Sequence, residues 1–363
     1  MKSPIIKKFR PGNAKQAFVI QTGRLVDHLR ALYGRSNLGI KVFDYEEIKD
    51  IEDFKTVRWG DDPPKGEPRR NTKLWEATQI QNIASWHGLA PRVYGLATVY
   101  LCDAYRPIQL IELLEEKPAP TQDEAVDIYN KVIALGKTYG FNVDKRDVSQ
   151  ADVLCGKLVD FQTFAFTKSY KETVKELYIK GKYGKVYYQD VPELGLHGGP
   201  RKSEERIKML GLDKLHWKGR NVLDVGCAGG FFTRYASEQE ASRVVGIDID
   251  EGHINASRHM ANLLGHFNND YILMDVRKNN YSGYPQVFDT TLFLSMNYHV
   301  DFPDWIIKCT SKTIVFEDNG RESRNSEKLD PKFASRFAGG VEFMGRATDH
   351  GDKPIYHLKV EKE

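Results

Sequence analysis

The stretch from Asn221 to Asp250, NVLDVGCAGGFFTRYASEQEASRVVGIDID, constrains the fold of this chain more than any other part of it. NVLDVG predicts a strand, GFFTRYASEQ a helix and RVVGIDI a second strand. After a second predicted helix, GHINASRHMANLLG, the apolar runs YILMDV, FDTTLFLS and KTIVFED predict further strands. Because strands that alternate with helices form parallel sheets covered on both faces, we predict an α/β fold with a doubly wound, mostly parallel sheet.

The glycine turn after the first of these strands has a composition that selects its ligand. It contains Gly226 and Gly229 and follows an acid, Asp224. Glycine allows a tight turn and close approach by a ligand, and the next helix offers free N–H groups at its start. A dinucleotide-binding turn would read GxGxxG, but Ala228 stands at the middle glycine, and a phosphate gains nothing from the Asp224 carboxylate. An ammonium group does gain from it, so S-adenosylmethionine, which joins adenosine to an α-amino acid, is the predicted ligand.

Two more acids follow predicted strands at the same edge of the sheet. Asp248 ends the second strand, where a carboxylate is able to accept both ribose hydroxyls. Asp275 ends the third strand, where an acid commonly accepts from the adenine amino group. Open α/β sheets bind ligands in the crevice outside the carboxyl ends of their strands. We therefore expect Asp224, Asp248 and Asp275 to converge on one cofactor site.

VLDVGCAGGFF resembles the first motif of class I S-adenosylmethionine-dependent methyltransferases, and residues from about 180 to 363 resemble that family. The resemblance implies a Rossmann-like domain and methyl transfer; a dinucleotide-binding Rossmann domain is the alternative. YYQDVPELGLHGGPRKSEERIKMLG and FDTTLFLSMNYHVDFPDWI further resemble the tRNA wobble-uridine carboxymethyltransferase group. That group carries Leu-Tyr-His after its fourth strand, whereas this chain has Asn297-Tyr298-His299. Plain S-adenosylmethionine is therefore the expected donor.

The candidate catalytic residues are His299 and Tyr298, in the segment after the fourth predicted strand. His299 is placed to act as a general base toward a hydroxyl or amine acceptor, or it packs and closes the loop. Tyr298 orients the acceptor or packs. Glu317 and Asp318, at the end of the fifth predicted strand, contact substrate or are solvated strand-end acids. Arg201, Lys202 and Arg206 bind an anionic acceptor or belong to a solvated helix start.

The first half of the chain contains a segment, KRDVSQADVLCGKLVDFQTF, that resembles the catalytic segment of protein kinases. The resemblance implies an α+β, kinase-like domain whose residues would bind a nucleotide or a metal ion. Asp147 takes the place of the kinase base, Asp152 that of the metal-binding Asn, and Asp160 that of the Asp in Asp-Phe-Gly. Lys41 and Glu76 take the places of the strand lysine and the helix glutamate.

The kinase pattern is incomplete. No glycine-rich loop precedes Lys41, Lys145 replaces the usual histidine, and Gln162 replaces the glycine of Asp-Phe-Gly. The kinase-like domain is therefore shortened or degenerate, and chance similarity is the alternative. Its three acids, Asp147, Asp152 and Asp160, keep magnesium and ATP as candidate ligands. We place this domain at residues 1–180 and the methyltransferase domain at residues 181–363.

Charge and cysteine content limit the partners. Lys and Arg number 53 and Asp and Glu 50, a net charge of +3, which does not suggest a nucleic-acid surface. Cys102, Cys155, Cys227 and Cys309 form no CxxC pair, so no zinc site is predicted. No signal peptide is evident, and no apolar run approaches the ~18 residues of a membrane span. We expect a cytoplasmic methyltransferase that acts on a small molecule or a glycan, with the first half as a recognition module. A bifunctional kinase–methyltransferase and a tRNA-modifying enzyme are the alternatives.

Overall fold

The fold is given by a computed structural model. It describes residues 6–8, 18–20, 24–33, 36–42, 56–58, 72–101, 104–114, 118, 120–143, 153–159, 161, 164–179, 190–197, 203–278, 287–319, 328–348 and 352–360. The chain divides into two compact units. Unit 1 comprises Met1–Thr173 and Asn262–Asn268, and unit 2 comprises Val174–Ala261 and Asn269–Glu363.

Unit 1 contains a six-stranded antiparallel sheet. Its strands are β1 (Ile6–Lys8), β2 (Phe18–Ile20), β3 (Leu38–Val42), β4 (Thr56–Arg58), β5 (Val93–Leu101) and β6 (Ala104–Glu112), in the spatial order β1-β2-β3-β6-β5-β4. Two short pairs follow, β7 (Phe141–Val143) with β10 (Phe164–Phe166) and β8 (Val153–Leu154) with β9 (Lys157–Leu158). The helices are α1 (Arg24–Tyr33), α2 (Thr72–Trp86) and α3 (Gln122–Tyr139), and α4 (Tyr170–Ile179) contains the division between the units. Thr121 caps α3 in a capping box with Glu124.

The helix α2 is buried on nearly all sides. Its buried polar side chains are hydrogen-bonded: Gln81 Nε2 donates to the Pro91 carbonyl at 2.9 Å, and Asn82 Oδ1 accepts from the Val93 N–H at 2.9 Å. Gln109 Nε2 donates to Thr78 Oγ1 at 2.6 Å. Because buried polar groups need partners, these bonds allow a polar helix to lie in the core of unit 1.

Unit 2 contains the predicted doubly wound, mostly parallel sheet. Its strands are β11 (Asn221–Val225), β12 (Arg243–Asp248), β13 (Asn269–Leu273), β14 (Phe288–Leu294), β15 (Thr310–Glu317), β16 (Gly340–Ala347) and β17 (Lys353–Lys359). The helices are α5 (Ser203–Met209), α6 (Phe231–Glu238), α7 (Glu251–Leu264), α8 (Asp304–Cys309) and α9 (Pro331–Ala334). Consecutive residues of β11 point to opposite faces of the sheet. Val222 packs into one apolar cluster, and Leu223 and Val225 pack into another. Both faces of the sheet are thus buried, as in other parallel sheets.

The strand order of unit 2 determines where a ligand can bind. The order is β13-β12-β11-β14-β15-β17-β16, with β11 to β15 parallel and β17 antiparallel to both of its neighbours, β15 and β16. The chain moves outward from β11 to β13 and then returns to β14, so the direction reverses between β11 and β14. Ligands of open α/β sheets bind at such a reversal, outside the carboxyl ends of the strands.

Candidate active site

The glycine turn lies at this reversal and has a strained backbone. Gly226 has φ +73°, and a Cβ added there would overlap Met296 Sδ and lie 3.0 Å from Met296 Cγ. Ala228, where a dinucleotide fold would carry glycine, has φ +45°, a conformation costly for a residue with a side chain. Its N–H donates to Asp248 Oδ2 at 2.9 Å, and its carbonyl accepts from Ser257 Oγ at 2.9 Å. These two bonds hold the turn against β12 and α7.

Asp248 sits between the glycine turn and α7. Its Oδ1 accepts from the Asp250 N–H at 2.9 Å and lies 3.5 Å from His253 Nδ1. Burial alone would raise the pKa of Asp248, but the interactions with His253, Asp250 and Ala228 outweigh burial and lower it. Asp248 in turn raises the pKa of His253. Asp248 is therefore a fixed, ionised acceptor at the carboxyl end of β12.

Asp224 lies beneath the turn, with only 3% of its surface exposed. Its Oδ2 accepts from Thr233 Oγ1 of α6 at 2.7 Å. Burial raises the pKa of Asp224 to about 7, although the Thr233 hydrogen bond opposes the rise. A buried carboxyl with this pKa changes charge easily near neutral pH.

Asp275 lies two positions beyond the end of β13 rather than at the strand end that we expected. Its carboxylate accepts from Arg277 Nε and Nη2, each at 2.9 Å. Hydrogen bonding to Arg277 lowers the pKa of Asp275 to about 2. The proposed contact between Asp275 and an adenine amino group stays a prediction.

Two exposed apolar side chains beside Asp248 were missed in the sequence. Ile249 follows Asp248 and is 60% exposed, and Leu273 pairs with Asp248 in the sheet register and is 51% exposed. Large exposed apolar side chains at a ligand crevice are typical of contacts with a flat ring. The sequence feature that could have identified Ile249 and Leu273 is their position at the strand ends, next to Asp248 or opposite it.

The segment after β14 carries a second polar cluster. Ser295, in the left-handed region at φ +59°, donates through Oγ to Glu317 and accepts from Lys353 Nζ at 3.1 Å. Asn297 Nδ2 donates to Asp318, and Asn297 Oδ1 accepts from the Asn319 N–H at 2.8 Å. This cluster fixes the segment that carries Tyr298 and His299. The His299 side chain is exposed at the end of this turn.

The interpretation of Glu317, Asp318 and Arg206 as solvated groups is wrong. Glu317 and Asp318 are fully buried at 0% exposure, and Arg206 is 2% exposed. Arg206 Nη2 lies 3.1 Å from Glu317 Oε1, so the pair neutralise each other inside unit 2. The charge of Arg206 is thus balanced by Glu317, and Arg201 and Lys202 lie outside the described residues.

In unit 1, two of the kinase-like residues are described. Lys41 is buried in β3 and donates from Nζ to the Val159 carbonyl at 2.9 Å, directly before Asp160 in the sequence. Glu76 of α2 accepts from the Phe166 N–H through Oε1. Asp147, Asp152 and Asp160 lie outside the described residues. Within the described ranges, no group of three or more His, Cys, Asp and Glu side chains is arranged to hold a metal ion. None of the described helices has the length and apolar character that crossing a membrane requires.

A protein-family model matches part of unit 2. Residues 222–311 match the methyltransferase domain family, from β11 through α8 to the start of β15. The matched residues contain the glycine turn, Asp248 and Asp275. No curated protein sequence matches the chain.

Several solved structures are similar in part. The bifunctional kinase-methyltransferase WbdD is 20% identical, with a TM-score of 0.38, over 47% of this chain and 43% of that chain. The magnesium protoporphyrin IX methyltransferase ChlM from Synechocystis PCC 6803 with bound SAM is 14% identical, with a TM-score of 0.33, over 44% of this chain and 78% of that one. A SAM-dependent methyltransferase from Aquifex aeolicus is 14% identical, with a TM-score of 0.32, over 46% of this chain and 100% of that one. The match spans less than half of the WbdD chain.

Proposed function

We propose that the protein transfers a methyl group from S-adenosylmethionine to a small molecule or a glycan, and that unit 1 recognises the substrate or a partner. The observation that carries the donor assignment is the joint placement of the glycine turn, the ionised Asp248 and the exposed Ile249 and Leu273 at the carboxyl ends of β11 to β13. The net charge of +3 supports such an acceptor over tRNA, which usually meets a concentrated basic face.

The donor-side residues match the parts of this cofactor. Asp248 would accept from the ribose hydroxyls, because each carboxylate oxygen has lone pairs beyond those used by Ala228 and Asp250. Ile249 and Leu273 would cover the adenine ring. Gly226 and Gly229 would let the amino-acid end approach the backbone, and Asp224 would balance its ammonium group. The cofactor supplies a methyl group already activated on a sulfonium sulfur.

On the acceptor side, the chain has to place a nucleophile in line with that methyl group. Holding two reactants in the right geometry is worth about 7–11 kcal/mol. We propose that His299, exposed after β14, takes a proton from a hydroxyl or amine acceptor and that Tyr298 orients it. If so, His299→Asn leaves the affinity for S-adenosylhomocysteine unchanged and lowers turnover by about 10²–10⁴-fold. Wild-type turnover of His299→Asn across pH 6–9 would instead assign the residue to packing.

Calorimetry with S-adenosylhomocysteine tests the donor site directly. Asp248→Ala should lose roughly 1–3 kcal/mol of binding free energy, the usual cost of a lost buried hydrogen-bond partner. The matched control is Asp289→Ala, because Asp289 holds Arg220 and the Asn221 N–H at the opposite, amino-terminal edge of the same sheet. Equal affinity of the Asp248→Ala variant and wild type, or a preference of the wild type for NAD, would reject the assignment.

A second candidate function comes from unit 1. The buried Lys41 reaches the carbonyl of Val159, next to Asp160, which is the neighbourhood that a kinase lysine would occupy. This contact supports a kinase-like domain and, as the alternative function, a bifunctional enzyme that phosphorylates a glycan or metabolite before methylating it. The missing glycine-rich loop and Gln162 favour recognition without efficient phosphoryl transfer.

A further inference from the structure

A buried arginine and a buried tyrosine meet on one carbonyl of the glycine turn. Arg234, in the first turn of α6, donates from Nη1 to the Gly229 carbonyl at 2.7 Å. The hydroxyl of Tyr178, in α4, donates to the same carbonyl at 2.7 Å and accepts from Arg234 Nη1 at 3.2 Å. Tyr178 is 1% and Arg234 3% exposed, so neither side chain is open to solvent.

The burial of Arg234 is unusual because its hydrogen bonds go to neutral groups. Buried arginines are normally paired with carboxylates, since an ion taken out of water costs several kcal/mol. Among the described residues, no carboxylate lies within ion-pair distance of Arg234, and Glu193 and Glu238 act on it only from further away. The burial of a charged side chain to bind a single backbone carbonyl indicates that the position of that carbonyl matters.

Ala228, the residue before Gly229, is also held at both of its backbone polar groups. Ala228 is fixed through its N–H by Asp248 and through its carbonyl by Ser257. With Gly229 held by Tyr178 and Arg234, the peptide groups that follow it, at the start of α6, have one orientation.

We propose that Tyr178 and Arg234 are positioning residues of the donor site, which hold the glycine turn in the shape that receives the amino-acid end of S-adenosylmethionine. This proposal rests on the proposed function. The two ends of the donor then depend on different residues. Binding of the amino-acid end depends on the turn, and hence on Tyr178 and Arg234. The adenosine end depends on Asp248, Ile249 and Leu273, at the ends of β12 and β13.

The test compares two probes by calorimetry: S-adenosylhomocysteine, and 5′-methylthioadenosine, which keeps the adenosine and the thioether but lacks the amino-acid end. Arg234→Met should bind S-adenosylhomocysteine about tenfold more weakly, a change of about 1.4 kcal/mol, and 5′-methylthioadenosine within about twofold of wild type. Arg234→Lys, which keeps the charge and a donor, should recover most of the loss. Tyr178→Phe should show the same selectivity with a smaller loss, and it provides the test if Arg234→Met does not fold.

The matched control is Arg220→Met, because Arg220 pairs with Asp289 at the amino-terminal edge of the same sheet. This variant should bind both probes as the wild type does. An equal loss of affinity for both probes in Arg234→Met and Tyr178→Phe would overturn the proposal and leave the pair a purely structural role. Unchanged binding of S-adenosylhomocysteine by these variants would overturn it as well. Failure of the wild type to bind either probe would reject the donor site itself, a result distinct from both.

Discussion

Arg206 and Glu317 form an ion pair inside unit 2, with Arg206 Nη2 3.1 Å from Glu317 Oε1 and the two side chains 2% and 0% exposed. Glu317 also accepts from Ser295 Oγ, so the pair anchors the segment that carries the candidate acceptor residues. A buried ion pair gains little over an apolar pair, but the removal of one partner leaves an uncompensated charge in the interior.

Arg206→Met should therefore lower the free energy of unfolding by about 3–5 kcal/mol. The double variant Arg206→Met/Glu317→Gln removes both charges and keeps an acceptor for Ser295, so it should recover a large part of this loss. Urea denaturation at pH 7 of the wild type, both single variants and the double variant measures the coupling. Additive losses would show that the two side chains do not interact as the structure indicates.

Asp224 makes the stability of unit 2 depend on pH. Its carboxyl titrates near 3.8 in an unfolded chain and at about 7 in the folded one, because burial raises its pKa. Between these values the folded state holds the proton more tightly, so the contribution of Asp224 to stability falls as pH rises from about 4 to about 7. One pKa unit is about 1.4 kcal/mol, so Asp224→Asn should stabilise the protein above pH 7 by up to roughly 4 kcal/mol.

The measurement is a series of denaturation curves from pH 4 to pH 8 for the wild type and Asp224→Asn. Thr233→Val serves as the second variant, because it removes the hydrogen bond that opposes the pKa rise and should extend the decline to higher pH. Parallel curves for the wild type and Asp224→Asn would contradict a titrating Asp224 in this interval. The same Asp224→Asn protein should also bind S-adenosylhomocysteine more weakly if the carboxylate meets the ligand ammonium.

Gly226 offers a test of the close approach at the strand reversal. Gly226 and Gly219 have similar left-handed backbones, at φ +73° and +74°, but only Gly226 has a neighbour, Met296, in the place of a Cβ. Both alanine substitutions should cost roughly 1–2 kcal/mol of stability from backbone strain. Gly226→Ala should cost more and should weaken S-adenosylhomocysteine binding, whereas Gly219→Ala should not change binding. Equal effects of the two substitutions on binding would remove Gly226 from the donor site.

The strands of unit 2 up to β15 and the glycine turn could be predicted because their signals are local. The apolar runs, the alternation with helices and the acid at the end of β12 all lie within short stretches of sequence. The strands β16 and β17 were missed, and in β17 the sequence KPIYHLK has a proline at its second position and places lysines and a histidine among its apolar residues. Its central residues are nevertheless buried, because β17 lies between β15 and β16.

Buried polar side chains were the main source of error, for a physical reason. Arg206, Glu317 and Asp318 read as surface residues because charged groups are seldom buried. Their burial depends on partners distant in sequence, such as Glu317 for Arg206, and no local pattern reveals such a pair. The same holds for Tyr178 and Arg234, whose common acceptor is a backbone carbonyl that the sequence does not distinguish from others.

The last prediction concerns ATP at unit 1. If Lys41, Asp147, Asp152 and Asp160 retain nucleotide binding, ATP with Mg²⁺ should raise the melting temperature, because a ligand at 100 times its Kd adds about 2.7 kcal/mol. Lys41→Met and Asp160→Ala should each abolish that rise, and Lys131→Met should retain it, because Lys131 is an exposed lysine of α3 paired with Asp127. Since no glycine-rich loop precedes Lys41, we expect ATP consumption with candidate sugars to stay near background. Rapid phosphorylation of a sugar that is lost in Asp160→Ala would establish the bifunctional enzyme instead. No stabilisation by ATP and Mg²⁺ in the wild type would leave unit 1 without a nucleotide site and contradict the kinase-like assignment of these four residues.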